Sequence, residues 1–473
     1  MRSTRPRLHR TDVPLLCQAV AVALLIGIGG ISPAVSHAAR PNVILIMVDD
    51  LGCGDLSCYG SQKQNTPVLD QMAKEGVKLT SFYAGATVCS PSRMALLSGA
   101  YPSRVGWEGG VMGYGMPAYG GLSRDVLTIA EAFKQNGYRT AISGKWHIGK
   151  RDLAPMHQGF DQAYYLLFSN NQTKKLWRGD EVIANPFDNR RLTELFTEEA
   201  IRFIREESDK PFFLYLPYTA PHFPAQAHPD WKGHSSNGAY GDVVEELDGR
   251  LGEIFALLKK KEIDKNTIVV FLSDNGAEPG QRKFSSSEPY AGRKWSAREG
   301  GTRVPCIIRW PGVIEPRTQS DDIVAAIDLF PTLADACGVE LEIPEEGQKL
   351  DGVSVWDSLV GKDVQHPRSD LLYWHGWGEA RAIRQRDWKL YFGEEEGVPG
   401  TDKGPALFNL SDDLQETKNL ADEHPEKVNE LMALAKEQLE DIYAHATPIG
   451  AEEDAQDKIK DWQPKKKWGK WLK

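Results

Sequence analysis

The run Asn42-Val43-Ile44-Leu45-Ile46-Met47-Val48 is apolar, rich in branched side chains, and stops abruptly at Asp49-Asp50. Such an unbroken stretch reads as a parallel strand buried on both faces, since a half-exposed strand would alternate. Thr267 to Leu272 has the same character and ends in Ser273-Asp274-Asn275-Gly276, and Pro211 to Leu216 ends near Ala220-Pro221-His222. Stretches of helical period lie between them, at Val126 to Asn136, Leu192 to Glu207 and Tyr240 to Lys261. Strand and helix in alternation predict an α/β fold, a doubly wound, mostly parallel sheet sandwiched by helices. Functional groups in such sheets collect beyond the carboxyl ends of the strands, where each of these polar clusters sits.

The pattern changes after about Gly361. Arg381 to Arg384 and Trp388 to Phe392 read as a hairpin, Leu407 to Leu410 as a short strand and Glu423 to Ile442 as a helix. The expected organisation is a catalytic α/β domain over 40–365, a smaller C-terminal α+β subdomain over 366–448 and a charged tail over 449–473. The tail is basic with interspersed tryptophans, Lys465-Lys466-Lys467-Trp468-Gly469-Lys470-Trp471-Leu472-Lys473. It reads as a solvated chain end in preference to a contact for an anionic glycan or lipid.

Residues 1–38 read as a signal peptide. Arg2, Arg5, Arg7 and Arg10 precede an apolar run from about Leu15 to Ile31, and Ser36-His37-Ala38 offers small residues for cleavage. Cys17 has no lipobox-like surroundings, and no other stretch is apolar and long enough to span a bilayer. The expected product is exported, periplasmic or secreted, with no stable membrane span after cleavage. At 473 residues, 41% hydrophobic and 26% charged, the chain has the composition of an ordinary globular protein. A net charge of −10 argues against a general nucleic-acid binder, though a local field at a site can oppose the global sign. Five cysteines follow the signal segment (Cys53, Cys58, Cys89, Cys306 and Cys337), and their spacings leave disulfide pairing open.

The odd cysteine out is Cys89, in Cys89-Ser90-Pro91-Ser92-Arg93 before the apolar Met94-Ala95-Leu96-Leu97. Proline pushes the residue before it towards extended geometry, so Cys89 is expected at or near a helix start. Backbone N–H groups and the helix dipole there suit a nucleophile or a bound oxyanion; a buried structural cysteine in a turn is the plain alternative. Asp49, Asp50, Asp274 and Asn275 form an all-oxygen donor set of the kind that holds Ca²⁺ or Mg²⁺. Singly, either pair also reads as a cap or solvated turn.

Taken with Leu97-Ser98-Gly99-Ala100-Tyr101-Pro102-Ser103-Arg104 and Gly144-Lys145-Trp146-His147-Ile148-Gly149-Lys150, the Cys89 segment resembles the motifs of the type I, formylglycine-dependent sulfatases of arylsulfatase type. The resemblance runs from Asn42 to about Ala421 and implies an alkaline-phosphatase-like fold. It implies that a formylglycine-generating enzyme converts Cys89 to 3-oxoalanine, whose hydrated aldehyde is the nucleophile. It implies Ca²⁺, with Mg²⁺ the lesser candidate, on Asp49, Asp50, Cys89, Asp274 and Asn275. Arg93 would brace the formylglycine, Asp274 would take the attacking hydroxyl's proton, and Lys145 would hold sulfate. His147 would be the base that frees the aldehyde again. His222, in Thr219-Ala220-Pro221-His222, and Lys294, before Glu299-Gly300-Gly301-Thr302-Arg303, match the pair that binds sulfate and protonates the leaving alkoxide. Ser169, ten residues after Gly159-Phe160-Asp161, falls where some arylsulfatases place a sulfate-binding serine.

The expected activity is hydrolysis of an organic sulfate ester, plausibly of a sulfated carbohydrate. Two alternatives stand beside it: a phosphate or phosphonate monoester hydrolase of the same superfamily, and an inactive sulfoglycan-binding protein. Met112 to Leu122, Phe168 to Arg178 and Arg282 to Pro289 are expected to rim the pocket. Trp177, Arg178, Tyr290 and Trp374 could meet a sugar there, but core packing is the expected role of those aromatics.

Overall fold

The computed structural model describes residues 40–343, 348–362, 364 and 366–472. The expected signal peptide therefore lies outside the described residues. No helix among them is long and apolar enough to cross a membrane.

A ten-stranded sheet forms the middle layer. Its parallel heart is Thr267–Ser273, Asn42–Val48, Phe212–Pro217, Arg139–Lys145 and Gln162–Leu166, side by side in that order. Antiparallel strands flank it, Cys306–Arg309 on one side and Leu176–Arg178 on the other. The Asn42–Val48 strand is fully enclosed, and its residues alternate between two cores: Val43, Leu45 and Met47 face one, Ile44, Ile46 and Val48 the other. An apolar run without polar alternation is what a central strand covered on both faces requires. Helix Cys89–Ser98 packs into the first core, and helices Leu192–Arg205 and Gly238–Lys260 into the second.

The C-terminal subdomain is a four-stranded antiparallel sheet, Asp370–Trp374, Ala380–Gln385, Trp388–Tyr391 and Ala406–Asn409, with helix Pro425–Ala444 against it. It does not stand apart: Ala39–Lys473 forms one compact unit, and Gly450–Ala451 pairs with Gly120–Gly121 of the catalytic part.

The tail departs from the expectation of a solvated end. The Ala380 N–H donates to the Lys467 carbonyl at 3.1 Å, Gly469 N–H to Ala380 at 2.9 Å and Trp471 N–H to Phe392 at 2.9 Å. Leu472 is buried, and the Trp471 indole donates to the Thr401 carbonyl at 3.0 Å. Aromatic burial and satisfied backbone groups outweigh solvation of the lysines, of which Lys465, Lys466 and Lys470 stay exposed.

Candidate active site

Three strand ends and one helix start converge. Asp49 and Asp50 follow the Asn42–Val48 strand, Asp274 and Asn275 follow Thr267–Ser273, and Lys145 ends Arg139–Lys145. Cys89 is the first residue of its helix and Arg93 lies one turn on, wholly buried. The parallel register puts Val48 beside Ser273, so the two acidic pairs leave the sheet together.

The charges interlock. Lys145 Nζ donates to Asp49 Oδ2 at 2.5 Å, while Arg93 donates to Asp274 Oδ2 at 2.8 Å and to the Lys145 carbonyl at 2.9 Å. Lys294 Nζ donates to Asp50 at 2.8 Å and lies 3.1 Å from Glu278. Asn275 Nδ2 donates to Asp50 Oδ1 at 2.8 Å. His222 Nε2 stands 3.7 Å from Asp50, and its Nδ1 donates to the Phe223 carbonyl at 2.7 Å, with Asn170 Oδ1 at 3.1 Å. Burial alone would raise the Asp49 carboxyl, yet Lys145, His222 and Arg93 hold it well below the usual carboxylate range. Asp274 goes the other way: burial and the neighbouring Asp49 push it up to about 7. Burial would depress Lys294, but Asp50 beside it keeps its ammonium well above the ordinary value.

The donor set fits a hard cation. Asp49 Oδ1 and Asn275 Oδ1 are buried without a hydrogen-bond partner, a costly state for an acceptor unless something positive meets it. Donor atoms of Asp49, Cys89 and Asp274 lie within 4.8 Å of one another, as do those of Asp49, Asp50 and His222. Oxygens dominate, as Ca²⁺ or Mg²⁺ prefers.

His147 faces Cys89. Its Nε2 lies 3.0 Å from the Met112 carbonyl and 3.1 Å from Gln172 Oε1. Both are acceptors, so Nε2 carries the proton and Nδ1 presents a lone pair. Nδ1 is 3.3 Å from Cys89 Sγ. Ser90 Oγ lies equally close but donates its proton to the His147 carbonyl at 2.8 Å, leaving Cys89 the group Nδ1 can serve. Burial, with Lys145 nearby, holds the imidazole well below its ordinary value, so it stays a neutral base. Burial also pushes the Cys89 thiol up, so as a cysteine it is not a thiolate.

Asp50 and His147 both have left-handed backbones, with φ of 72° and 64°. Such strain costs about 1–3 kcal/mol per residue and gathers where function fixes geometry.

The structure thus brings together Asp49, Asp50, Cys89, Arg93, Lys145, His147, His222, Asp274, Asn275 and Lys294. Ser169 is buried nearby, and its backbone N–H donates to Gln172 Oε1 at 3.2 Å, linking it to His147's partner. Of the expected rim, Met112 and Gln172 reach His147, and Arg282 and Ser286 to Pro289 line a cleft of about 1450 Å³ that runs past Lys294. Trp374 is fully buried and Trp177 stacks on Tyr165, as core packing demands. Arg178 pairs with Glu199 at 2.8 Å. Sequence reasoning did not single out Ser90, Asn170, Gln172 or Glu278. Ser90 lies inside the Cys89 motif and Asn170 and Gln172 inside the expected rim segment Phe168 to Arg178, but nothing local marks Glu278.

The sulfatase family model matches residues 41–339, and a model of the N-sulphoglucosamine sulphohydrolase C-terminal region matches 293–445. The chain belongs to the sulfatase family. This sulfatase is 30% identical to the steryl-sulfatase of Homo sapiens, over 85% of this chain and 88% of that protein. It is 29% identical to an N-acetylgalactosamine-6-O-sulfatase of Bacteroides thetaiotaomicron, over 84% and 93%. Among solved structures it superposes on Ps i-CgsB bound to k-i-k-neocarrahexaose with a TM-score of 0.76 and 27% identity, covering 89% of this chain and 97% of that one. The PsFucS1 sulfatase from Pseudoalteromonas sp. gives 0.76 and 26%, covering 87% and 92%. The sulfatase is thus a sulfuric ester hydrolase with an alkaline-phosphatase-like core. Its five described cysteines are all free, which answers the open question of pairing.

Proposed function

We propose that this sulfatase is an exported enzyme that removes sulfate from a sulfated carbohydrate, using a formylglycine made from Cys89 by a formylglycine-generating enzyme. Ca²⁺ would be held by Asp49, Asp50, Asp274, Asn275 and the converted Cys89. The observation that carries the reading is the convergence on Cys89: the His147 lone pair at 3.3 Å, with the Asp49 and Asp274 carboxylates within 4.8 Å. The carbohydrate rests on relatives, among them an N-acetylgalactosamine-6-O-sulfatase and a protein complexed with a neocarrahexaose.

A hydrated aldehyde at position 89 supplies two hydroxyls, one to attack sulfur and one to release sulfate without water attacking sulfur again. A bound cation supplies positive charge beside the sulfate oxygens. The chain does the rest. Asp274 is the carboxylate assigned to accept the proton of the attacking hydroxyl. Arg93, Lys145 and Lys294 surround the site with fixed cations, so charge building on the sulfate meets preorganised partners. Lys294 and His222, both against Asp50, are the pair assigned to the sulfate and the departing alkoxide, with the Lys294 ammonium supplying the proton. His147 Nδ1 takes the proton of the second hydroxyl, its Met112 and Gln172 partners holding the ring in the required tautomer. Ser169 adds to the sulfate seat.

Peptide mass analysis across Cys89, on protein from a host with the maturation enzyme, is expected to find formylglycine. Rates on matched aryl sulfate and aryl phosphate are expected to favour sulfate. An unmodified thiol in active protein, or a clear preference for phosphate, would overturn the reading.

A further inference from the structure

Trp295 follows Lys294 directly, and its side chain packs against Val88, Cys89 and Val111. Its backbone is left-handed, φ 74°, an unfavourable choice for a bulky aromatic, and its N–H is pinned to the Thr87 carbonyl at 2.9 Å. Two more rings extend it outward. Trp377 lies 5.1 Å from it between centroids, and Tyr114 sits edge-on at 6.4 Å to Trp295 and 5.5 Å from Trp377. Both outer rings are open to solvent, Tyr114 at 59% and Trp377 at 44% exposure. An aromatic wall therefore runs from the nucleophile's position to the surface.

The wall is built, not incidental. A Cβ on Gly376 would sit 2.5 Å from the Trp295 ring, so only glycine lets that ring lie on the 375–378 turn. His375 braces the turn that carries the outer tryptophan: its Nδ1 accepts the Trp377 backbone N–H at 3.3 Å, and its own N–H donates to the Glu379 carbonyl at 2.8 Å. Tyr114 is carried on a tight turn in which Val111 and Tyr114 exchange backbone hydrogen bonds of 2.7 and 2.8 Å. From behind, Lys467 of the C-terminal tail donates to the carbonyls of Glu108, at 2.5 Å, and Trp377, at 3.2 Å. Three parts of the chain are thus spent on holding exposed aromatics in one place, beside a strained residue that touches Cys89.

We propose that Tyr114, Trp295 and Trp377 seat the leaving group: a pyranose ring laid by its apolar C–H face on the outer rings, its sulfated position turned past Trp295 towards Cys89. Such a face suits an aromatic surface, while the sugar's hydroxyl edge stays towards the polar cleft lined by Arg293 and Lys294. The inference rests on the carbohydrate reading above and adds to it the residues that select the leaving group. His375 acts as a positioning residue, through Trp377.

The test compares kcat/KM on N-acetylgalactosamine 6-sulfate and a sulfated neocarrahexaose with that on ethyl sulfate, which has no ring. In W377A and Y114A the glycan-to-ethyl ratio is expected to fall about tenfold, chiefly through KM. H375A is expected to show the same KM effect together with loss of the Trp295–Trp377 near-ultraviolet circular dichroism couplet, which a general loss of stability would not single out. A ratio unchanged within twofold, or an equal loss on ethyl sulfate, overturns the proposal. Should the parent cleave no sulfate, the sulfatase reading fails separately. The wall is then judged by tryptophan fluorescence: quenching by the same glycans in the parent, lost in W377A, supports it, and no quenching overturns it.

Discussion

Glu299, Glu416 and Lys389 form a buried charged cluster between the catalytic part and the small sheet, and Asp49, Asp50 and Asp274 form another with Arg93, Lys145 and Lys294 at the strand ends. In the first, Lys389 Nζ lies 2.9 Å from both glutamates, and Tyr83 and Tyr373 donate to the two Glu299 oxygens at 2.6 and 2.7 Å. Tyr391 donates to Glu416 Oε1 at 2.5 Å, and the Glu299 N–H to Oε2 at 3.0 Å. Every carboxylate oxygen there has a partner. In the second, Asp49 Oδ1 and Asn275 Oδ1 have none. Burial is equal, so the difference lies in completeness. A cluster that serves the fold closes on itself, whereas one that serves chemistry keeps groups open for what it will bind.

The largest expected effect separates chemistry from folding. H147A should lower kcat by roughly 10²–10⁴-fold, as loss of a positioned base does, with the urea midpoint near that of the parent. A midpoint that falls with kcat would make His147 part of the folding scaffold. Next, K389A should destabilise by about 3–5 kcal/mol in urea unfolding, because two buried glutamates lose their shared cation. Ca²⁺ is not expected to restore that loss, since the cluster has no open oxygen.

The strand-end cluster should respond the opposite way. Saturating Ca²⁺, at a hundredfold its Kd, should raise unfolding free energy by about 2.7 kcal/mol, and D49N should abolish the rise. A response that survives D49N would place the ion elsewhere. The smallest change per step, read one pH unit at a time, concerns His375, whose ring burial and Arg381 push down to about 3. Below the unfolded histidine value of about 6.5 the unfolded chain takes up a proton that the folded one refuses, so stability falls by up to roughly 1.4 kcal/mol per pH unit on acidification towards pH 3. H375Q should flatten that acid limb in thermal melts from pH 6.5 to 4.

Much of the fold is legible in the sequence. The Asn42–Val48 strand has the limits its apolar run predicts, and Thr267–Ser273, Phe212–Pro217 and the helix at Gly238–Lys260 lie within a residue or two of theirs. Long unbroken or periodic apolar patterns fix local structure because burial on both faces leaves little choice. The tail was misread because its lysines dominate its composition, while its partners Ala380, Phe392 and Thr401 are far away in the chain.

The sequence by itself determined the strands, the helix that starts at Cys89 and the acids at the strand ends, since each follows from neighbours a few residues away. Tertiary structure alone decided which charges pair, which two oxygens stay open and which nitrogen of His147 faces Cys89, 58 positions earlier in the chain. It also decided that Trp295, Trp377 and Tyr114 would meet. Those outcomes depend on contacts between segments whose separation no local pattern encodes, because hydrogen-bond partners and ring neighbours exist only once the sheet has brought the strand ends together.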